Sequence, residues 1–125
     1  MPENAISTQI IDACFKIHST LGPGLLESVY ENILCYELDK RNLHFERQKT
    51  IPLRYENMQF ESALRLDLIV ENKVIVEIKS VETVLPLHKK QLLTYLKISG
   101  YKLGLLVNFN SALIKDGITR IANNL

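Results

Sequence analysis

The sequence predicts an α/β protein, a mixed β-sheet flanked by helices in the order ααβββαβ plus a short tail. Three observations predict it. Apolar residues recur at helical spacing from residue 5 to about residue 41. The period then changes to two across three successive segments. After a third helical stretch comes a short, near-continuous apolar run, which suits a strand covered on both faces in a central or parallel position.

Each element has its own signal. Ile6, Ile10, Cys14, Ile17 and Leu21 lie three or four apart over residues 5–21, the spacing of one helix face. Gly22-Pro23-Gly24 ends that helix. Leu26, Val29, Tyr30, Ile33, Leu34 and Leu38 form the stripe of a second helix from about Leu25 to Arg41. Asn42 suits a left-handed cap. Ile51, Leu53 and Tyr55 alternate with polar positions and predict a strand over 45–55. Phe60, Leu64, Leu66, Leu68 and Val70 alternate in a second strand, with Ser62 the polar exception on that face. Val74, Val76 and Ile78 share one face of a third strand ending near Ser80. Pro86 opens a third helix, where its missing N–H costs nothing, and Gly100 ends it. Leu103 to Phe109 is the apolar run. The tail from Lys115 holds a turn and a short element that the pattern leaves untyped.

The 125 residues predict a single domain spanning 1–125, with no repeat, linker or low-complexity tract. Hydrophobic residues make up 46% and charged residues 23%, the balance of a packed globule. No apolar stretch approaches the ~18 residues of a membrane span, and the N-terminal residues lack a secretory pattern. The expected location is the cytoplasm, with no membrane partner. Cys14 and Cys35 have no CxxC spacing, so neither a disulfide framework nor a zinc knuckle is expected, and each reads as a small core residue. The formal charge is +1. Residues 1–61 carry nine acids and six bases, and residues 62–125 five acids and nine bases, so the second half can present a basic face.

The chemistry concentrates in the second hairpin. If Val70 pairs with Val74 across the three-residue loop, Leu68 faces Val76 and Leu66 faces Ile78 on one apolar face. Asp67 then falls opposite Glu77, with β-carbons about 5 Å apart. Lys79 lies two residues on, on the same face. Opposed carboxylates repel, and a divalent cation or Lys79 must offset this. A solvated Asp–Lys–Glu cluster on an exposed sheet face is the plain alternative.

Asp67, nine intervening residues, then Glu77-Ile78-Lys79 forms a D…ExK pattern. Gly24 to Tyr30 reads GxxExxY, and Gln91 to Tyr95 reads QxxxY. Phe45-Glu46-Arg47-Gln48 and Gly104 to Phe109 complete the set. Together these motifs resemble the GxxExxY family, a branch of the PD-(D/E)XK nuclease superfamily, over roughly residues 5–122. Two departures stand out: Leu66 replaces the Pro of the superfamily name, and Ser62-Ala63-Leu64 stands where related nucleases often have Gly.

That resemblance implies a restriction-endonuclease-like core, and roles for particular residues. Asp67 and Glu77 would hold Mg²⁺ or Mn²⁺, with the Ile78 carbonyl as a further ligand. Lys79 would orient or help deprotonate the attacking water. Glu27 would bind a second metal or hold Lys79. Gln91 and Tyr95, one helical turn apart, would support the phosphate. Tyr30 shares a helix face with Glu27 but reads more simply as core.

Several other residues are weaker candidates. His18, His44 and His88 match no metal-binding spacing, though His88 lies one turn before Gln91. Glu82 could support the site from a loop, Lys89 and Lys90 could meet phosphate, and Arg47 and Gln48 could line the site from the first strand.

The leading expectation is a metal-dependent nuclease acting on DNA or RNA, and a homodimer, since symmetric dimers are the commonest oligomers. The alternative is a catalytically silent module that binds nucleic acid or protein in a defence or repair system. A two-carboxylate glycosidase fits worse, because Lys79 beside the pair is atypical of that chemistry.

Overall fold

The computed structural model describes residues 1–125. Helix α1 (Glu3–Leu21) and helix α2 (Glu27–Lys40) come first, followed by strands β1 (Phe45–Tyr55), β2 (Met58–Val70) and β3 (Val74–Lys79). Helix α3 (Pro86–Ser99) leads to β4 (Leu103–Asn108), and the tail forms a single turn, α4 (Ile114–Gly117), and a short strand, β5 (Ile118–Ala122). The five strands make one mixed sheet in the order β1-β2-β3-β4-β5. Only β3 and β4 run parallel, with α3 as their crossover. No helix is long and apolar enough to cross a membrane.

The sheet is covered on both faces. Ile6, Ile10 and Ile17 of α1 and Leu34 and Leu38 of α2 pack with Leu68, Val70, Val74, Val76, Leu105 and Val107. On the other face, Leu92 and Leu96 of α3 pack with Ile51, Leu66, Ile69, Ile75 and Leu106. Cys14 and Cys35 are buried and free, as their isolation in the sequence implies. Asn42 adopts the left-handed conformation after α2 (φ 59°), and Gly100 does the same after α3 (φ 82°).

The hairpin register begins as the hydrophobic pattern dictates: Val70 pairs with Val74, and Leu68 with Val76. There the ladder ends, and two expectations fail. Leu66 does not pair with Ile78, and the two leucines Leu66 and Leu68 join opposite cores. Both strands of the first hairpin turn over at one level. Phe45 packs on the α1/α2 side, whereas Ile51 packs on the α3 side. Between them, Gln48 is left-handed (φ 51°) and opposite Asp67, so regular pairing skips from Arg47–Leu68 to Lys49–Leu66. The turnover moves β2 away from β3 beyond Leu68 and leaves Asp67 at the mouth of the gap.

The untyped tail supplies the partner that β4 needs on its outer side, with β5 pairing antiparallel to it. Gly117 permits the preceding turn, because a β-carbon there would collide with the Asn108 carbonyl oxygen and with Ser111.

Candidate functional site

Where β2 and β3 part, side chains replace the ladder. The Asp67 carboxylate accepts the Ile78 N–H at 2.9 Å. Glu77 Oε1 accepts the Asp67 N–H at 3.4 Å. Asp67 and Glu77 are therefore neighbours, but through these side-chain bonds and not as the directly opposed ladder pair that the pattern implies.

Glu77 is 9% exposed. Burial first, then the adjacent Asp67 charge, push its carboxyl up to about 9. A hydrogen bond from the protonated Glu77 to Asp67 adds to the rise, while Lys79 opposes it. Lys79 is half-buried and forms no ion pair with either carboxylate. Tyr95, from α3, faces the same pair: burial raises its phenol first, then the Glu77 and Asp67 charges, and Gln91 beside it acts the other way. Asp67, Glu77 and Lys79 thus stand together at the strand ends, and Tyr95, with Gln91 one turn before it on α3, lies near enough to feel both carboxylates.

On the α2 side, a cleft of about 260 Å³ opens beside Asp67, lined by Glu27, Ser28, Glu31, Gln48, Arg65, Asp67 and Ile78. Glu27 is exposed on its wall and bonds none of the central group. Three of these residues were not expected. Glu31 stands one turn from Glu27 on α2, but only its partners on β1 give it a role. It is buried, accepts two bonds from Arg47 at 2.8 and 3.2 Å, and accepts one from Gln48 at 2.9 Å. That network fixes the left-handed Gln48 opposite Asp67. Arg65, exposed, and Ser28 carried no sequence signal.

The weaker candidates fall elsewhere. Tyr30 is fully buried, stacks on Phe109 at 4.4 Å, and donates to the Gly22 carbonyl while accepting from the Leu25 N–H. It is a core residue that fixes the α1–α2 loop. His88 caps α3 by accepting the Leu85 N–H at 3.1 Å. His18 bonds the Ser111 carbonyl. Glu82, Lys89 and Lys90 are exposed.

Behind Lys79, Asn108 holds the chain. Its Oδ1 accepts the Val81 and Asn110 N–H groups, and its Nδ2 donates to the Val81 carbonyl. Phe109 N–H donates to the Lys79 carbonyl at 2.9 Å.

No group of three His, Cys, Asp or Glu side chains converges on one point. The donors at the gap are two carboxylates, hard oxygen ligands that suit a cation using water and phosphate oxygens for its remaining positions. The close pair, with Glu77 buried, fits that chemistry, because a divalent charge would favour the ionised form that burial and the Asp67 charge oppose.

A mixed sheet between helices, opened at an Asp and an ExK strand, defines a nuclease-like core. The family model for the PD-(D/E)XK nuclease superfamily matches residues 4–121, and the chain belongs to that superfamily. Its fold is similar to the crystal structure of SSO0001, with a TM-score of 0.58 and 26% identity over 79% of this chain. The chain spans about half, 51%, of that protein's length. No protein of curated function matches.

Proposed function

We propose that this protein is a metal-dependent nuclease of the GxxExxY branch, hydrolysing phosphodiester bonds in DNA or RNA. The observation that carries the proposal is the convergence of Asp67, Glu77, Lys79 and Tyr95 where β2 leaves β3. Asp67 and Glu77 would hold Mg²⁺ or Mn²⁺, with the Ile78 carbonyl and Glu27 as further oxygen donors. A bound divalent cation supplies Lewis acidity, lowering the pKa of water and offsetting charge on phosphate oxygens.

The chain's own residues do the rest. Lys79 places a positive charge where charge develops on the phosphate, and orients the water. Tyr95 and Gln91 present hydrogen-bonding groups to the same oxygens. The Asn108 bonds hold the strand end that carries Lys79. The proposal extends to a homodimer in the cytoplasm, which light scattering and cell fractionation would check.

The test is cleavage of circular single-stranded DNA, supercoiled plasmid and structured RNA with Mn²⁺ or Mg²⁺, with Lys79→Ala in parallel. Metal-dependent cutting that disappears in the variant is the expected result. Absence of cutting, or equal cutting by the variant, would overturn the reading and favour the silent binding module.

A further inference from the structure

Two pairs of exposed leucines lie on the elements that carry the candidate site, one just before the cleft wall on α2 and one at the start of α3. Leu25 and Leu26 immediately precede Glu27 and Ser28 of the cleft wall, and are 38% and 73% exposed. Leu85 and Leu87 open α3 and are 50% and 69% exposed. Leu87, Gln91 and Tyr95 stand at i, i+4 and i+8, so Leu87 lies on the same side of α3 as Gln91 and Tyr95, nearer the helix N-terminus. The two loops also meet. Ser80, directly after Lys79, donates its hydroxyl to the Leu25 carbonyl at 2.6 Å. Tyr30 fixes the Leu25 loop from beneath, and Asn108 fixes the Val81 loop. Leu25 is therefore held on anchored backbone beside Lys79, and Leu85 is held by the His88 cap of α3.

Leucine side chains offer nothing to phosphate oxygens or to the polar edges of bases. Their gain comes from covering apolar surface, and in a nucleic acid that surface is the face of a base. A regular duplex hides those faces in its stack. An unpaired strand exposes them, and apolar side chains also wedge between bases already unstacked. Resting on the nuclease reading above, we infer that the substrate is a strand with unpaired bases, whose bases lie against Leu25, Leu26, Leu85 and Leu87 while its phosphate enters the gap between Asp67 and Lys79.

The test measures binding by fluorescence anisotropy with Ca²⁺ in place of Mg²⁺. The probes are a single-stranded oligonucleotide, the same sequence as a duplex, and a base-free strand of equal length. The wild type should hold the single strand at least about tenfold more tightly than the duplex or the base-free strand. Leu26→Ser combined with Leu87→Ser should weaken single-strand binding about tenfold and leave the base-free strand unaffected, as expected for two leucines losing their cover. Leu113→Ser, an exposed leucine outside this rim (55% exposed), should change neither. Unchanged melting temperatures would show that each variant folds. Equal binding of duplex and single strand, or no effect of the double variant, would overturn this inference and leave the nuclease reading in place. Failure of the wild type to bind any of the three probes would overturn both.

Discussion

Asp67 and Glu77 join β2 to β3 with their side chains at the level where the backbone ladder stops. Each carboxylate accepts an N–H of the facing strand, at 2.9 Å for Asp67 and 3.4 Å for Glu77. Asp67, and a Glu77 that keeps its proton beside it, thus close the gap they stand in. Asp67→Asn keeps an acceptor for the Ile78 N–H, and Asp67→Ala leaves that N–H without one. The Ala variant should be less stable than the Asn variant by about 1–2 kcal/mol in urea unfolding. Both should lose Mn²⁺ binding in calorimetric titration, because each lacks the Asp67 charge.

The raised carboxyl of Glu77 makes the stability of the metal-free protein fall as pH rises. In the unfolded chain the group loses its proton near 4.5, and in the folded chain it keeps it up to about 9. Between those values the folded state binds more protons, so the slope of stability against pH is negative. The contribution is complete below about 4.5 and is lost progressively as pH rises toward 9. Urea midpoints in chelator should therefore decline more steeply from pH 5 to pH 9 for the wild type than for Glu77→Gln. Parallel slopes would refute this account of Glu77.

The element order and most boundaries were legible, because apolar spacing changed from helical to alternating where the chain itself changes. The turnover at Gln48 and Asp67 was not. Both faces of the sheet are covered, so Leu64, Leu66, Leu68 and Val70 continue the same alternation straight through it. An apolar pattern cannot say which of two cores a leucine joins. Strand β5 was hidden for a related reason: Ile118 and Ile121 are three apart, which is not a strand's period. In the site, Asp67, Glu77 and Lys79 were legible because their chemistry lies within one hairpin. Glu31 was not, because its meaning depends on Arg47 and Gln48 of a different element.

That network makes a backbone prediction. Gln48 sits at φ 51°, where a side chain is strained and glycine is not. Gln48→Gly and Gln48→Ala both lose the bond to Glu31, so their difference isolates the backbone. The Gly variant should be more stable by about 1 kcal/mol in urea unfolding. Equal stabilities would mean that the left-handed conformation carries no strain.

The cysteines should be inert in the folded protein. Burial raises Cys14 to about 12 and Cys35 to about 11, and Cys14 is fully buried. The thiolate is the reactive form, so neither thiol should react with a thiol-specific reagent at pH 8. Both should react at once in denaturing urea. Rapid modification of either in the native state would contradict its packing.

Asn108 stands beside Lys79 in the parallel ladder, and its side chain holds Val81 on both its N–H and its carbonyl. It is 3% exposed, so its lost bonds would not be replaced by water without rearrangement. Asn108→Ala should destabilise the protein by on the order of 2 kcal/mol. It should also free the strand end that carries Lys79, while Asp67 and Glu77, held by each other's strands, stay in place. Below the melting transition, then, divalent metal affinity should be unchanged while the cleavage rate falls. Asn108→Asp keeps the acceptor for Val81 and Asn110 but loses the donor to the Val81 carbonyl, and its rate should lie between the two. Loss of metal binding in step with activity would show that Asn108 supports the carboxylates and not the placement of Lys79.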